Sequence, residues 1–193
     1  MLSKSKLDSI TRIIQDRASD KDPFVIAIGG FGGSGKTTIT QGLAELLGNV
    51  TVINLDDFML NRANKRSADG QEFDLNRFEE QVLKPIKQGK DAIRYEIYDW
   101  DSNSMGQTKE TRLQKYVIVE GTRVLQERFS EYYDYTIWLN VPLIEASNRG
   151  KQRDRVLYHV NHDKQWDTVW SPNDNDYYLK HKPQTLVDSV INN

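Results

Sequence analysis

The chain of 193 residues has no cysteine, which excludes a disulfide framework, thiolate catalysis and a cysteine-ligated zinc site. Neither sign of charge dominates. Lysine and arginine number 26 against 28 acids, for a net charge of -2, so no global positive field exists to draw in a nucleic acid. Long apolar runs are missing as well, and no stretch reaches the length needed to cross a bilayer. The opening Met1-Leu2-Ser3-Lys4-Ser5-Lys6 lacks the apolar stretch of a signal peptide. There is no repeat, no low-complexity tract and no linker, so residues 1–193 are read as one domain with a full core. Together these absences predict a soluble, cytosolic protein. Its partner is expected to be a small molecule, with no nucleic acid and no membrane, and a homo-oligomer stays open.

What is present is more specific. Gly30-Phe31-Gly32-Gly33-Ser34-Gly35-Lys36-Thr37 fits the phosphate-loop pattern G-x-x-x-x-G-K-[ST]. Glycines let the backbone curl so that successive N–H groups face phosphate oxygens. Lys36 adds a charge that reaches the β- and γ-phosphates, and the Thr37 hydroxyl can ligate a metal. The helix that follows aims its positive end at the same anion. The expected ligand is a nucleoside triphosphate with Mg²⁺, bound by Gly30, Gly32, Gly33, Ser34, Gly35, Lys36, Thr37 and Thr38.

The flanks agree. Phe24-Val25-Ile26-Ala27-Ile28 is an unbroken apolar run, as a buried parallel strand needs, and Ile39, Leu43, Leu46 and Leu47 follow at helical spacing. Upstream, Leu7, Ile10, Ile13 and Ile14 stripe a first helix, within residues 1–20, that ends before Pro23. Further strands are predicted at Val50–Ile53, Tyr116–Gly121, Tyr135–Val141 and, at a sheet edge, Leu186–Ile191. Asp74 reads as the N-cap of a helix carrying Leu75, Phe78, Val82 and Ile86, with Gly89 past its end and a kink or early stop at Pro85. Arg94–Trp100 and Thr108–Leu113 suggest a small β-hairpin excursion near residues 93–113. Pro142 opens a helix, and residues 164–182 read as mostly helical with a break at Pro172. Asn61–Gln71 reads as a polar loop. The fold class is therefore α/β: a parallel sheet of about five strands with helices on both faces.

In such a sheet the ligand lies beyond the carboxyl ends of the strands. Asp56 and Asp57 follow the second strand and Glu120 closes the third. Mg²⁺ prefers oxygen ligands, and transfer of a phosphoryl group to an alcohol gains from a carboxylate that accepts the hydroxyl proton. Either Asp56 or Asp57 fits that need, and turn or cap residues would look the same. An acid such as Glu120, directly after four apolar strand residues, rarely sits idle in a core. Arg149 and Arg153 share a helix face, which suits a phosphate clamp or a solvated surface equally. Tyr98, Asp99 and Trp100 combine flat apolar surface with a carboxylate, suited to an aromatic ring and a sugar hydroxyl, or to an ordinary core strand. His159, His162 and His181 have no metal-ligand spacing.

Taken together, these motifs resemble the uridine kinase-like family of phosphate-loop small-molecule kinases, whose relatives include phosphoribulokinase, pantothenate kinase and nicotinamide riboside kinase. The likeness runs from about Phe24 to Ile191. Gly32 to Thr38 is similar to the family's loop, and Asp56-Asp57-Phe58-Met59 resembles its Asp-x-Phe-Tyr segment. The first acid there is the catalytic base and approaches the metal, which implies Asp56 for both tasks and leaves Asp57 beside the substrate. By the same resemblance Asp74 contacts the sugar, and Val119-Glu120-Gly121 is similar to the family's strand ending in a metal-site glutamate. Tyr98-Asp99-Trp100 looks like a nucleoside-binding segment, and Arg149 with Arg153-Asp154 resembles an arginine-rich lid within about 145–180. Two departures stand out. Met59 replaces the usual tyrosine, and the family's pyrimidine-reading histidine falls at about Asn103. The Trp166-to-Tyr178 stretch resembles nicotinamide riboside kinases.

The expectation is an ATP- and Mg²⁺-dependent phosphotransferase acting on a hydroxymethyl group, with a nucleoside such as uridine as acceptor. Lys36, Asp56, Arg149 and Arg153 form its catalytic set; Thr37, Asp56 and Glu120 its metal set; Asp57, Asp74, Tyr98 and Trp100 its acceptor set. The alternatives are another acceptor (nicotinamide riboside, pantothenate or a sugar phosphate) and a non-catalytic nucleotide-binding regulatory module.

Overall fold

The computed structural model describes residues 4–60, 72–99, 102 and 104–193. The chain opens with α1 (Lys4–Arg17), β1 (Phe24–Gly30), α2 (Lys36–Leu47) and β2 (Val50–Asn54), then a 3-10 turn at Leu55–Phe58. A helical rod follows, built from α3 (Leu75–Phe78), a π turn (Glu79–Leu83) and α4 (Lys84–Lys87). Next come β3 (Ala92–Asp99), β4 (Ser104–Arg112), β5 (Tyr116–Gly121), β6 (Tyr135–Asn140) and α5 (Leu143–Leu157). A second rod joins α6 (Asp163–Gln165), a π turn (Trp166–Trp170) and α7 (Ser171–His181), before the last strand β7 (Ser189–Asn192).

Five strands form one sheet in the order β2-β5-β1-β6-β7, with every pairing parallel. The expected α/β class and strand number both hold. All seven residues of β1 and all six of β5 are buried, which is why their sequences are continuous apolar runs and not alternating ones. The period of two survives inside them. Phe24, Ile26 and Ile28 join Ile10, Ile14, Ile39 and Leu43 of α1 and α2 on one face. Val25 and Ala27 join Phe58, Phe78 and Tyr177 on the other. β7 is shorter than expected and begins at Ser189, leaving Leu186 outside the sheet and 59% exposed.

The hairpin β3–β4 is antiparallel and sits apart from the main sheet. In β3, Ile93 and Tyr95 face the core by simple alternation, and strict alternation would turn Ile97 inward next. A register shift between Glu96 and Tyr98 changes the phase, and Tyr98 is buried instead.

The early stop expected at Pro85 and the break expected at Pro172 are corrected. Pro85 does not stop its helix, and Pro172 does not break its own. Each π turn ends two residues before the proline, at Leu83 and at Trp170. Proline lacks the N–H for an i−4 carbonyl and its ring crowds that carbonyl; one wider turn just upstream accommodates both problems without ending the rod. Asp74 caps the first rod as expected, accepting the Arg77 N–H at 3.0 Å. Among the described residues, no helix is long and apolar enough to cross a membrane.

Candidate active site

Strand register sets the floor of the site. Ile28 and Asn54 both pair with Glu120, so β1, β2 and β5 end side by side. The phosphate loop leaves β1 there, and the Leu55–Phe58 turn leaves β2 there. The Asn54 carboxamide accepts the Asp56 N–H at 2.9 Å and fixes that turn. α2 starts after Gly35, which holds φ of 95°, and no side chain caps its first turn. Its leading N–H groups thus face the loop without a side-chain acceptor, the arrangement that favours an anion.

Three different elements press on the loop glycines. A methyl group on Gly32 would meet the Trp166 ring at 3.0 Å, and one on Gly33 would meet the Ala146 carbonyl of α5 at 2.1 Å. At Gly35 it would meet the Asn193 carboxamide, 2.6 Å away, which already donates to the Ser34 carbonyl. Lys36 turns back on its own loop and donates to the carbonyls of Gly30 (3.2 Å) and Phe31 (3.1 Å). Thr37 Oγ1 donates to Glu120 Oε1 at 3.0 Å, and the buried Ser34 hydroxyl has no hydrogen-bond partner among the described residues.

The cleft perturbs its charges. Desolvation lowers the Lys36 ammonium below its ordinary value, against the pull of Glu120, Asp174 and Asp56. Burial raises Glu120, with Lys36 and the Thr37 hydrogen bond opposing. Asp56 is open to solvent on the cleft side, yet the surrounding walls still push its carboxyl upward, opposed chiefly by Lys36. Arg153 is near enough to act on both Lys36 and Asp56.

The structure therefore brings together Lys36, Thr37, Asp56, Glu120 and Arg153. Arg149 does not join them: it bonds Glu145 at 2.6 Å and the Asn193 carbonyl at 3.3 Å, although it lines one shallow groove on α5 with Arg153. Asp57 accepts the Tyr95 hydroxyl at 3.2 Å, and burial raises its carboxyl. Asp74 is engaged as a helix cap with Arg77. Tyr98, 4% exposed, is packed in the core. Trp100, Asn103 and the loop from Asn61 to Gln71 lie outside the described residues. No group of three or more acidic or histidine side chains gathers to hold a metal among the described residues. Mg²⁺ on a polyphosphate needs only one or two carboxylates and takes most of its oxygens from phosphate and water.

Several contacts were not singled out from sequence. Asp174 Oδ2 accepts the Gly32 N–H at 2.7 Å. Asp154, 2% exposed, accepts from Arg153 Nε (3.1 Å), Arg153 Nη2 (2.9 Å) and Trp166 Nε1 (2.8 Å). Burial alone would raise the Asp154 carboxyl, but the hydrogen bonds from Trp166 and Arg153 outweigh it and hold it below its ordinary 3.8. A depressed carboxylate contributes stability above its unfolded pKa, and that contribution disappears as pH falls through the folded value. Asp154→Asn is accordingly expected to melt below wild type at pH 7, with the gap closing as pH drops below 3.8. Calorimetry from pH 7 to 3 checks this, and a gap independent of pH contradicts it.

The model of the Zeta toxin family matches residues 7–67, under half of the chain, from α1 through the loop and β2. Solved structures align over nearly the whole length. A protein described as a possible uridine kinase from Bacillus stearothermophilus aligns at TM-score 0.75 and 17% identity, over 97% of this chain and 98% of its own. A candidate fructose transport system kinase from a Silicibacter species gives 0.80 and 20%, over 96% and 98%. A candidate P-loop kinase with a circular permutation from Saccharomyces cerevisiae gives 0.70 and 12%, over 100% and 99%. The chain thus has the fold of the P-loop kinases.

Proposed function

We propose that the protein is an ATP-dependent phosphotransferase that phosphorylates a hydroxymethyl group of a small molecule, in the manner of a uridine or other nucleoside kinase. Residues 1–193 act as one kinase domain, with residues 145–180 as its arginine-bearing lid. One observation carries the reading: Lys36, Thr37, Asp56, Glu120 and Arg153 converge where β1, β2 and β5 end around the phosphate loop.

The loop N–H groups and the start of α2 hold the triphosphate tail. Lys36 exchanges its two loop carbonyls for phosphate oxygens, which restores solvation-like partners to a desolvated ammonium. Thr37, Glu120 and Asp56 would hold Mg²⁺, which supplies charge neutralisation on the phosphates when bound. Asp56 accepts the acceptor's hydroxyl proton as the new O–P bond forms and the bond to the β–γ bridging oxygen breaks, leaving ADP. An upward-shifted carboxylate suits that task, since it binds a proton more readily than a free aspartate. Arg153, set by Asp154, places positive charge beside the transferring group, while Arg149 would have to leave Glu145 to assist.

A sugar-type acceptor is the second reading. Burial of Tyr98 favours it, because the ring expected to lie against a base is taken up by packing. The Silicibacter neighbour points the same way. A panel of nucleosides, sugars and vitamins, assayed by ADP release with the product weighed by mass spectrometry, decides between them. The account expects one class of hydroxymethyl acceptor to stimulate ADP release well above water. Release that no acceptor stimulates contradicts a transferase.

A further inference from the structure

A buried ionic chain runs from the phosphate loop to the far side of the cleft. It begins at the Gly32 N–H, which donates to Asp174 Oδ2 at 2.7 Å. Asp174 Oδ1 accepts Arg123 Nη1 at 2.8 Å, and Arg123 Nη2 donates to Glu72 Oε1 at 2.6 Å. The Glu72 carbonyl accepts the Leu60 N–H at 2.9 Å, and the Asp74 N–H reaches the Phe58 carbonyl at 2.8 Å. Glu72 is thereby fastened to the segment that leaves the Asp56–Asp57 turn, where Met59 and Phe73 form an isolated antiparallel bridge. Arg123 lies over the Tyr177 ring at 4.8 Å, so α7 holds it on two sides.

All three side chains are buried: Arg123 is 1% exposed, Glu72 and Asp174 each 5%. Two carboxylates and one guanidinium are buried together, close to the Lys36 ammonium that Asp174 also attracts. Such clusters rarely improve stability over apolar residues of the same volume, because desolvation offsets their attraction. The Asp174 carboxylate is instead directed at a loop amide. A charge-assisted bond from a fixed carboxylate holds one peptide plane of the loop firmly, and Trp166 closes the other side of Gly32.

We infer that Asp174 is a positioning residue that pre-sets the phosphate loop, and that Arg123 ties this setting through Glu72 to the segment after the Asp56–Asp57 turn. The inference rests on the loop being the nucleotide site proposed above. A neutral amide cannot replace the carboxylate. Asparagine has one acceptor and one donor group, so whichever way it turns, its NH₂ meets either the Gly32 N–H or the Arg123 guanidinium, donor against donor.

The test uses the full chain with Asp174→Asn and the triple variant E72V/R123M/D174V, whose apolar side chains of similar total volume refill the buried site. Hydrogen exchange of the peptide spanning Gly30 to Thr38 is measured without ligand, together with KM for ATP, kcat and Tm. Asp174→Asn is expected to speed loop exchange by at least about tenfold and raise KM for ATP by a similar factor, with a smaller change in kcat. The triple variant is expected to regain Tm while loop exchange stays fast and KM stays high. Wild-type exchange in Asp174→Asn overturns the inference. So does a triple variant in which exchange and KM recover along with Tm, since that marks a merely structural role. Absence of Mg-ATP binding by wild type refutes the phosphotransferase reading alone, and the exchange rates still decide what Asp174 does to the loop.

Discussion

Asp56→Ala is expected to lower turnover by about two to four orders of magnitude while Mg-ATP still binds. The turn that carries Asp56 is held through its backbone by Asn54, not through its carboxylate, so removing the side chain leaves the turn in place. The phosphate-holding groups, Lys36 and the loop amides, are likewise untouched. What disappears is the acceptor for the hydroxyl proton, together with one of the oxygens that would hold Mg²⁺ beside Thr37 and Glu120. A second consequence follows from the raised pKa. Keeping this carboxylate ionised against its upward shift costs the folded state free energy at pH values above its folded pKa, a cost kept small by the solvent on its cleft side. That cost vanishes below the ordinary value of 3.8, where both folded and unfolded forms are protonated. Asp56→Ala is therefore expected to melt above wild type at pH 7, with the gain fading toward acid, as activity is traded against stability at such sites. Unchanged turnover in this variant removes Asp56 from the mechanism.

Gly33→Ala is expected to abolish nucleotide binding, and Gly48→Ala to spare it. Both glycines have positive φ, 78° and 62°. A Cβ at Gly48 meets nothing within 4 Å, so the cost there is backbone strain alone, about 1–3 kcal/mol at φ 62° and ψ 166°. At Gly33 positive-φ strain is joined by a contact of 2.1 Å to the Ala146 carbonyl, a main-chain atom of α5 that cannot swing aside as a side chain can. Relief requires the loop or α5 to move, at a total of about 3 kcal/mol or more. Because the loop's N–H groups must converge on one anion, a displaced peptide loses more in affinity than in stability. The account expects Mg-ATP affinity to fall by at least about a hundredfold in Gly33→Ala and to stay at wild type in Gly48→Ala. Equal affinities in the two variants contradict it.

The parts of this molecule that were legible in sequence are those whose signal is local. β1 and β5 are written as unbroken apolar runs because both their faces are covered. The loop from Gly30 to Thr37 is written as one motif because one stretch of backbone does its work. Glu120 is visible because an acid ends a buried strand. The prolines misled because a period of 3.6 contains no provision for a wider turn, and both rods contain one. Tyr98 turned inward because a register shift changed the phase of β3, which residue types alone do not reveal. The chain from Asp174 through Arg123 to Glu72 is the hardest case. Arg123 stands 51 residues from each of its partners, and the packing of α7 on the loop after β5, where the Tyr177 hydroxyl donates to the Leu125 carbonyl at 2.6 Å, brings it to Asp174. Arg149 and Arg153 look equivalent on a helix face, yet Asp154 takes one and Glu145 the other.

Calorimetric titration of Mg-ATP into the wild-type protein, repeated with the metal chelated, tests the central claim most directly. The account predicts saturable binding that depends on Mg²⁺ and is lost in Lys36→Ala. Protein that takes up neither adenine nor guanine nucleotides, with or without Mg²⁺, would contradict it.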